Sequence, residues 1–222
     1  MTEQMKQAMK ERHTVRQFDG TPLTDSEKSI LTSKIDELNK RFDLTIALIE
    51  SEKTPISFLG KTLLGGDGVY SYFALAAEDR KGVDESLGYA GSELCLFSQM
   101  NGLNTWWIGG TFNRNAVKGF VSGKKIVSII AVGHGKTQGV QHKSKSKDQV
   151  SSYEGEAPEW FINGIEAALL APTALNKQNF TITGKGNKVS LTYKSGPLSG
   201  IDKGIVKHHF ELGAGKENFE WT

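Results

Sequence analysis

The sequence predicts an α+β fold in which a central, mostly antiparallel sheet is flanked by helices. Apolar residues recur at helical spacing in residues 1–12 and 21–42, which predicts two helices at the start of the chain. The runs 43–51 and 69–77 are instead rich in β-branched and aromatic residues, as strands are. A Gly-Asn pair inside residues 179–194 separates two further strand-like runs and predicts an antiparallel hairpin.

The other elements are predicted from the positions of turn-forming residues and from the spacing of apolar residues. Residues 51–68 carry scattered glycines and predict an irregular connection, whereas 84–102 begins with acidic residues, ends in Asn-Gly and predicts a helix. The apolar run 125–133 predicts a buried strand. The remaining segments are predicted to be a short helix (113–121), a polar surface connection (134–156) and two longer helices (157–172 and 199–215).

Composition limits the classes of function. The net charge of +2 over 222 residues gives no electrostatic footprint for nucleic acid, and the basic run 142–147 lacks interleaved aromatic residues. That run suits a solvated loop or a local phosphate contact. No apolar run is long enough to cross a membrane, and the N-terminus lacks the apolar core of a secretory signal. We therefore expect a cytoplasmic protein with neither a nucleic-acid nor a membrane partner.

The positions of the cysteine and of two histidines argue against a catalytic thiol and against a metal site. Cys95 is the only cysteine and lies among apolar residues of a predicted helix, which is typical of a small core residue. His208 and His209 are adjacent, so they face different sides of a helix and lack the spacing of a metal pair. The glycines of residues 133–139 match neither a P-loop nor a dinucleotide fingerprint. We expect no metal and no side-chain nucleophile.

Three segments have the chemistry of a ligand site. In residues 11–18, Arg12, Thr14 and Arg16 occupy alternate positions, which an extended backbone would turn to one side. Two guanidinium groups with a hydroxyl between them suit a phosphate and the acidic edge of a ring. The alternative is a pair of solvated surface arginines.

The other two segments are polar or glycine-rich ends of elements. Residues 171–180 offer a hydroxyl from Thr173 and carboxamides from Asn176 and Gln178, which suit a heteroaromatic ring edge. The alternative is an ordinary helix end closed by asparagine. In residues 102–110 two tryptophans precede Gly109 and Gly110, which allow a ligand close to the backbone, although a buried turn with core tryptophans also explains them.

Two similarities within the chain suggest a duplication. The tripeptide Leu-Asn-Lys occurs at 38–40 and 175–177, each time between a predicted helix and a strand. At a constant shift of 113 residues, the glycines and phenylalanine of the helix at 91–102 also match those of the helix at 204–215. We predict one domain over 1–222, with similar halves at approximately 1–150 and 157–222.

Together these segments resemble the FMN-dependent nitroreductase family. RHTVRQF (12–18) is similar to the family's Arg-Arg-Ser-x-Arg-x-Phe motif, with His13 and Thr14 in place of the second Arg and the Ser. The segments 88–110 and 125–135 resemble its Gly-Leu-Gly-Thr-x-Trp-Ile-Gly-Gly helix-strand unit and the strand that follows. EAALLAPTALNKQNFTI (166–182) resembles its Ala-Pro-Ser-x-x-Asn-x-Gln-Pro-Trp signature, here in the C-terminal half rather than soon after the arginine motif.

The resemblance implies an FMN site. It assigns Arg12, His13 and Thr14 to the phosphate end and Arg16 to the N1/O2 side of the ring, where Arg16 would stabilise negative charge. It also implies flavin contacts from the C-terminal signature, from the glycine segment and from a basic residue after the last strand of the family: Pro172, Thr173, Asn176 and Gln178; Ile108, Gly109 and Gly110; and Lys143 or Lys145.

The implied activity is an FMN-dependent oxidoreductase of nitroreductase type. Hydride would pass from NAD(P)H to flavin N5 and then to a nitroaromatic, a quinone or a similar small-molecule acceptor. The alternatives are a flavin-binding protein without turnover, such as a carrier or sensor, and a structural or interaction domain without flavin. Members of the family are usually homodimers, and the two similar halves suggest that this chain could instead be a monomeric pseudo-dimer.

Overall fold

The structure, a computed structural model, describes residues 2–222, and these divide into two compact units. Unit I comprises Glu11–Val83 and Glu93–Gln141. Unit II comprises the chain up to Lys10, Asp84–Ser92 and His142–Thr222. Each unit contains one four-stranded sheet of its own.

Unit I is built on an antiparallel sheet in the order β1-β2-β4-β3. The two middle strands are mainly apolar, and every residue of β2 and the last seven residues of β4 are buried. The four strands are β1 (Ala47–Glu50), β2 (Ser71–Ala77), β3 (Asn104–Ile108) and β4 (Lys125–Gly133).

Local chemistry determines where the helices of unit I begin and end. Thr24 and Glu27 form a reciprocal capping box at the start of α2 (Asp25–Phe42), and Asp43 ends it in a left-handed conformation. The predicted irregular connection at 51–68 contains a helix, α3 (Phe58–Leu64), so that prediction was wrong. The Ser57 hydroxyl accepts a hydrogen bond from the backbone of Gly60 and caps this helix, a signal that the scattered glycines obscured.

The remaining helices of this part of the chain are α4 (Val83–Met100) and α5 (Arg114–Lys118). One hydrophobic cluster of unit I lies against one side of its sheet and contains Phe18, Tyr72, Trp106 and Ile129, each at most 4% exposed. Cys95 on α4 is also buried, which confirms the prediction of a small core residue.

Unit II is built on a mixed sheet in the order β5-β6-β7-β8, in which β6 and β7 form the predicted hairpin. The outer strands β5 and β8 pair with β6 and β7 in parallel. The strands are β5 (Ser151–Glu154), β6 (Phe180–Lys185), β7 (Lys188–Tyr193) and β8 (Glu220–Trp221). Because 147–154 forms a short helix, α6 (Lys147–Val150), followed by β5, the prediction of a purely polar connection over 134–156 was wrong.

The helices of unit II are α1 (Thr2–Glu11, which ends at the boundary of unit I), α6, α7 (Glu159–Ala168) and α8 (Ser199–Ala214). Glycines allow α8 to pack very closely: a Cβ at Gly204 would lie 2.6 Å from the backbone nitrogen of Tyr89, and one at Gly164 would lie 2.6 Å from the Phe210 ring. Packing through glycine therefore fixes the position of α8 relative to both α7 and the Asp84–Ser92 part of α4.

The α+β class and the antiparallel pairing predicted from the sequence are confirmed, and the strands are divided between two sheets. The proposed halves at 1–150 and 157–222 stay a prediction. No helix within residues 2–222 is long and apolar enough to cross a membrane.

Candidate functional site

Arg12 lies in unit I just after α1 and is the most unusual residue of the predicted arginine motif. Its side chain is 5% exposed, and its Nε has no hydrogen-bond partner among residues 2–222. Burial lowers the pKa of the Arg12 guanidinium, with an opposing contribution from nearby Cys95. A buried guanidinium with this orphaned donor differs from a solvated surface arginine, and such groups call for an anionic partner.

Arg16, by contrast, is exposed, with its guanidinium 5.9 Å from the centre of the Trp106 ring. His13 and Thr14 are half-buried between these two arginines. The segment runs alongside β3, because Thr14 pairs with Thr105 and the backbone of Val15 donates to the Thr105 carbonyl at 3.2 Å. The arginine motif and the tryptophan segment are therefore neighbours, although Arg12 and Arg16 differ strongly in exposure.

The glycine-rich segment 133–139 packs beside the arginine motif. A Cβ at Gly139 would lie 2.8 Å from the Thr14 carbonyl oxygen, so only glycine, which also takes a φ of 73° here, fits this approach. Buried Asn104 holds the same segment, since its Oδ1 accepts from the Gly135 backbone at 3.0 Å and its Nδ2 donates to Gln138 at 2.9 Å. Sequence reasoning missed Asn104, whose one signal is a carboxamide at the start of a buried strand.

The second part of unit I with predicted flavin contacts is the end of β3. Ile108 is 2% exposed and belongs to the core, whereas Gly109 is half-buried and Gly110 is exposed. A Cβ at Gly110 would meet no described atom within 4 Å, so the chain itself leaves open space there.

The C-terminal signature forms a turn of unusual backbone geometry in unit II. Leu175, Asn176 and Gln178 have φ values of 53°, 53° and 46°, the left-handed region that costs a residue with a side chain about 1–2 kcal/mol. Leu175 is also 85% exposed, so its burial does not offset that cost. Strained backbone of this kind clusters at functional sites, where surrounding contacts hold it in place.

Carboxamide groups brace this turn against the segment that contains Lys143 and Lys145. Gln178 is 1% exposed; its Nε2 donates to the Lys143 carbonyl at 3.1 Å and to Asn176 Oδ1 at 2.8 Å, and its Oε1 accepts from the Lys145 backbone at 2.9 Å. Asn176 also donates to the Lys143 carbonyl, at 2.7 Å. Both lysine side chains are exposed, and Lys145 Nζ donates to the Gln178 carbonyl at 2.9 Å.

Pro172 and Thr173 enter the turn at the end of α7. Pro172 is half-buried, and Thr173 is 7% exposed, with its hydroxyl accepting from the Gln178 backbone at 3.1 Å. The next residue, Ala174, donates its backbone N–H to both carboxylate oxygens of Asp202, at 3.0 and 3.1 Å. Asp202 also accepts from the Tyr193 hydroxyl at 2.7 Å.

Sequence reasoning missed both Asp202 and Tyr193. Their sequence signals are weak, since an acidic residue in the first turn of a helix and a tyrosine at a strand end are both common.

The predicted site residues thus fall into two groups, each brought together within its own unit. Unit I holds Arg12, His13, Thr14, Arg16, Ile108, Gly109 and Gly110; unit II holds Lys143, Lys145, Pro172, Thr173, Asn176 and Gln178. The described part of the chain contains no group of three or more His, Cys, Asp or Glu residues arranged to hold a metal ion.

Comparisons with known proteins agree with the fold. The model of a family described as "Putative TM nitroreductase" matches residues 4–214. A structure described as a nitroreductase from Thermotoga maritima MSB8 has a TM-score of 0.65 and 20% identity, with 96% of this chain and 84% of that chain covered. No sequence among the curated proteins matches.

Two further similar structures are each described as a "putative nitroreductase in complex with FMN". The one from Exiguobacterium sibiricum has a TM-score of 0.52 and 10% identity, and the alignment covers 65% of this chain and 94% of that chain. The one from Desulfovibrio desulfuricans has a TM-score of 0.50 and 14% identity, with 69% and 98% covered. At these identities the structural likeness supports the fold alone.

Proposed function

Because the chain belongs to the nitroreductase family whose model spans residues 4–214, we propose that it is an FMN-dependent oxidoreductase. The observation that carries the proposal is Arg12, a buried guanidinium with an orphaned Nε, in the motif that the family uses for the flavin phosphate. A phosphate dianion would supply the charge and the acceptor atoms that this group lacks. The residues present in unit I therefore fit FMN.

The other residues of the arginine motif suit the same ligand. Thr14 and His13 are half-buried beside Arg12 and can add a hydroxyl and an imidazole to the phosphate contacts. Arg16 is exposed, and its guanidinium can stabilise negative charge at the N1/O2 edge of a ring. The open space at Gly110 suits a planar group close to the backbone.

For unit II, taken by itself, we propose that Thr173 and Asn176 are the residues that would contact a flavin and that Gln178 supports them. The Gln178 carboxamide already makes three hydrogen bonds within the chain, so its role is to brace the turn. Pro172 shapes the entry to this turn, and the exposed side chain of Lys143, or that of Lys145, whose amine also donates to the Gln178 carbonyl, is a candidate for an anionic group.

When bound, FMN would supply the redox chemistry, which is the transfer of a hydride from NAD(P)H to a nitroaromatic, a quinone or a similar acceptor. The work of the protein is then to bind, orient and stabilise charge. No side chain has to act as a nucleophile in this scheme.

An optical titration tests the proposal. We expect purified protein to bind FMN more tightly than riboflavin, which lacks the phosphate, and we expect NADH or NADPH to bleach the bound flavin under anaerobic conditions. Arg16→Ala should lower both flavin retention and the rate of bleaching. Binding without bleaching by either nucleotide would favour a carrier or sensor, and failure to bind FMN would refute the proposal.

A further inference from the structure

Asp202 is a buried carboxylate that pairs with no cation. It is 5% exposed, and no lysine, arginine or histidine nitrogen in residues 2–222 forms a salt bridge with it. Burial raises the pKa of Asp202, against the hydrogen bonds from Tyr193 and Ala174. Burial of a carboxylate without a cationic partner costs free energy, so we expect the hydrogen bonds that its oxygens accept to have a specific role.

Both carboxylate oxygens of Asp202 accept hydrogen bonds, and one of the two donor groups belongs to the strained turn. One partner is the backbone N–H of Ala174, immediately before left-handed Leu175, and the other is the Tyr193 hydroxyl. Asp202 is itself fixed, because it lies in the first turn of α8, whose glycines pack directly against backbone. The carboxylate therefore ties the entry of the turn to a rigid helix.

We propose that Asp202, oriented by Tyr193, is a positioning residue that holds the 173–178 turn in its left-handed path and so presents Thr173 and Asn176 to a flavin. The flavin part rests on the proposed function. The proposal that Asp202 holds the turn does not rest on the proposed function, because it concerns only residues of unit II.

Two substitutions at Asp202 separate the hydrogen bond from the charge. Asp202→Ala removes the acceptor for Ala174, so the exchange of that amide with deuterium should accelerate about tenfold relative to global unfolding. Asp202→Asn keeps one acceptor oxygen and should restore most of the protection. FMN affinity should follow the same order, with a loss of about tenfold in Asp202→Ala and a smaller loss in Asp202→Asn.

A matched control lies on the same helix. Glu211 is also a buried carboxylate that accepts from a tyrosine hydroxyl, that of Tyr89, but its other partners are Lys216 and Trp221, which lie outside the turn. Glu211→Ala should leave the relative exchange rate of Ala174 within about twofold of the parent. If Asp202→Ala does not fold, Tyr193→Phe removes the hydroxyl that donates to Asp202 and also contacts Thr173 in the turn, and it should accelerate the same amide about threefold.

The outcomes distinguish the two proposals. If the parent protein binds no FMN, the flavin part of this inference is overturned together with the proposed function, and the exchange of Ala174 still tests whether Asp202 holds the turn. If the parent binds FMN but Asp202→Ala changes neither Ala174 exchange nor affinity, Asp202 is not a positioning residue. Equal acceleration in Glu211→Ala would also overturn the inference, since the effect would then be general destabilisation.

Discussion

Replacement of Arg12 by methionine should make the ligand-free protein more stable and, at the same time, a poorer FMN binder. Arg12 is buried, and its Nε has no hydrogen-bond partner among residues 2–222, so in the absence of a ligand this donor is desolvated without a compensating hydrogen bond. Methionine has a similar length, no charge and enough flexibility to fill the same space. A gain in stability together with a loss of FMN affinity is expected for a residue whose role is ligand binding rather than folding.

The expected sizes follow from the burial. Replacing poorly compensated buried charge by apolar side chains of similar volume stabilises proteins by about 1–4 kcal/mol, which for a chain of this length raises Tm by about 2–4 °C per kcal/mol. Hydrogen bonds to a charged group contribute about 1.5–3 kcal/mol, so FMN affinity should fall about 10- to 150-fold. Riboflavin affinity should change little, because the lost contacts are those to the phosphate.

Thermal unfolding with and without flavin measures both effects in one assay. At FMN concentrations about 100 times Kd, the parent should gain about 2.7 kcal/mol from binding, whereas the variant at the same concentration should gain much less. Arg80→Met is the control, because exposed Arg80 already donates to the Phe42 carbonyl at 2.7 Å. It should leave the preference for FMN over riboflavin unchanged and should not raise Tm.

The reasoning fails if Arg12→Met lowers the stability of the ligand-free protein by more than about 1 kcal/mol, because Arg12 would then have compensating partners within the fold. It also fails if the ratio of FMN to riboflavin affinity stays at the value of the parent. Either result would remove Arg12 from the phosphate site.

Two further substitutions test the packing that holds the candidate site. Gln178→Ala should lower the free energy of unfolding in urea by about 2–4 kcal/mol, because it removes three hydrogen bonds and leaves their buried partners unpaired. Lys177→Ala, at an exposed position, should change it by no more than about 0.5 kcal/mol. A loss below about 1 kcal/mol in Gln178→Ala would refute the bracing role. Gly204→Ala should cost about 1–3 kcal/mol or more, since its Cβ would lie 2.6 Å from the Tyr89 nitrogen, and Gly119→Ala, where a Cβ meets nothing within 4 Å, should be neutral or slightly stabilising. Similar values for the two alanines would contradict the close contact.

The sequence predicted those parts of the fold that depend on local pattern. The β6–β7 hairpin follows from a Gly-Asn turn between alternating residues, and α2 follows from its apolar spacing and its capping residues. Helix α3 and strand β5 were missed for different reasons. Helix α3 has only seven residues, and β5 has a parallel pairing with a strand about 30 residues away, which no local pattern can indicate.

The candidate site was predicted in its residue types but not in its physical arrangement. Alternation in residues 12–16 indicated three side chains on one side, yet it could not show that Arg12 is buried and Arg16 exposed. Burial depends on which elements pack over a segment, and those contacts are distant in sequence. Asn104 and Asp202 were missed for the same reason, because their importance lies in partners 28 to 34 residues away.

The two Leu-Asn-Lys segments show how one tripeptide takes different structures. Asn39 remains within α2 and forms two hydrogen bonds with the backbone of Ile46, at 2.8 and 2.9 Å, whereas Asn176 adopts a left-handed conformation in a turn. In the first copy Arg41 stands where the second has Gln178, and it joins a partly buried ion network around Glu93. In the second copy the corresponding carboxamide braces a strained backbone. Ion pairs stabilise the helix surface around Arg41, whereas carboxamides hold the irregular turn at 173–178, and strained backbone of this kind clusters at functional sites.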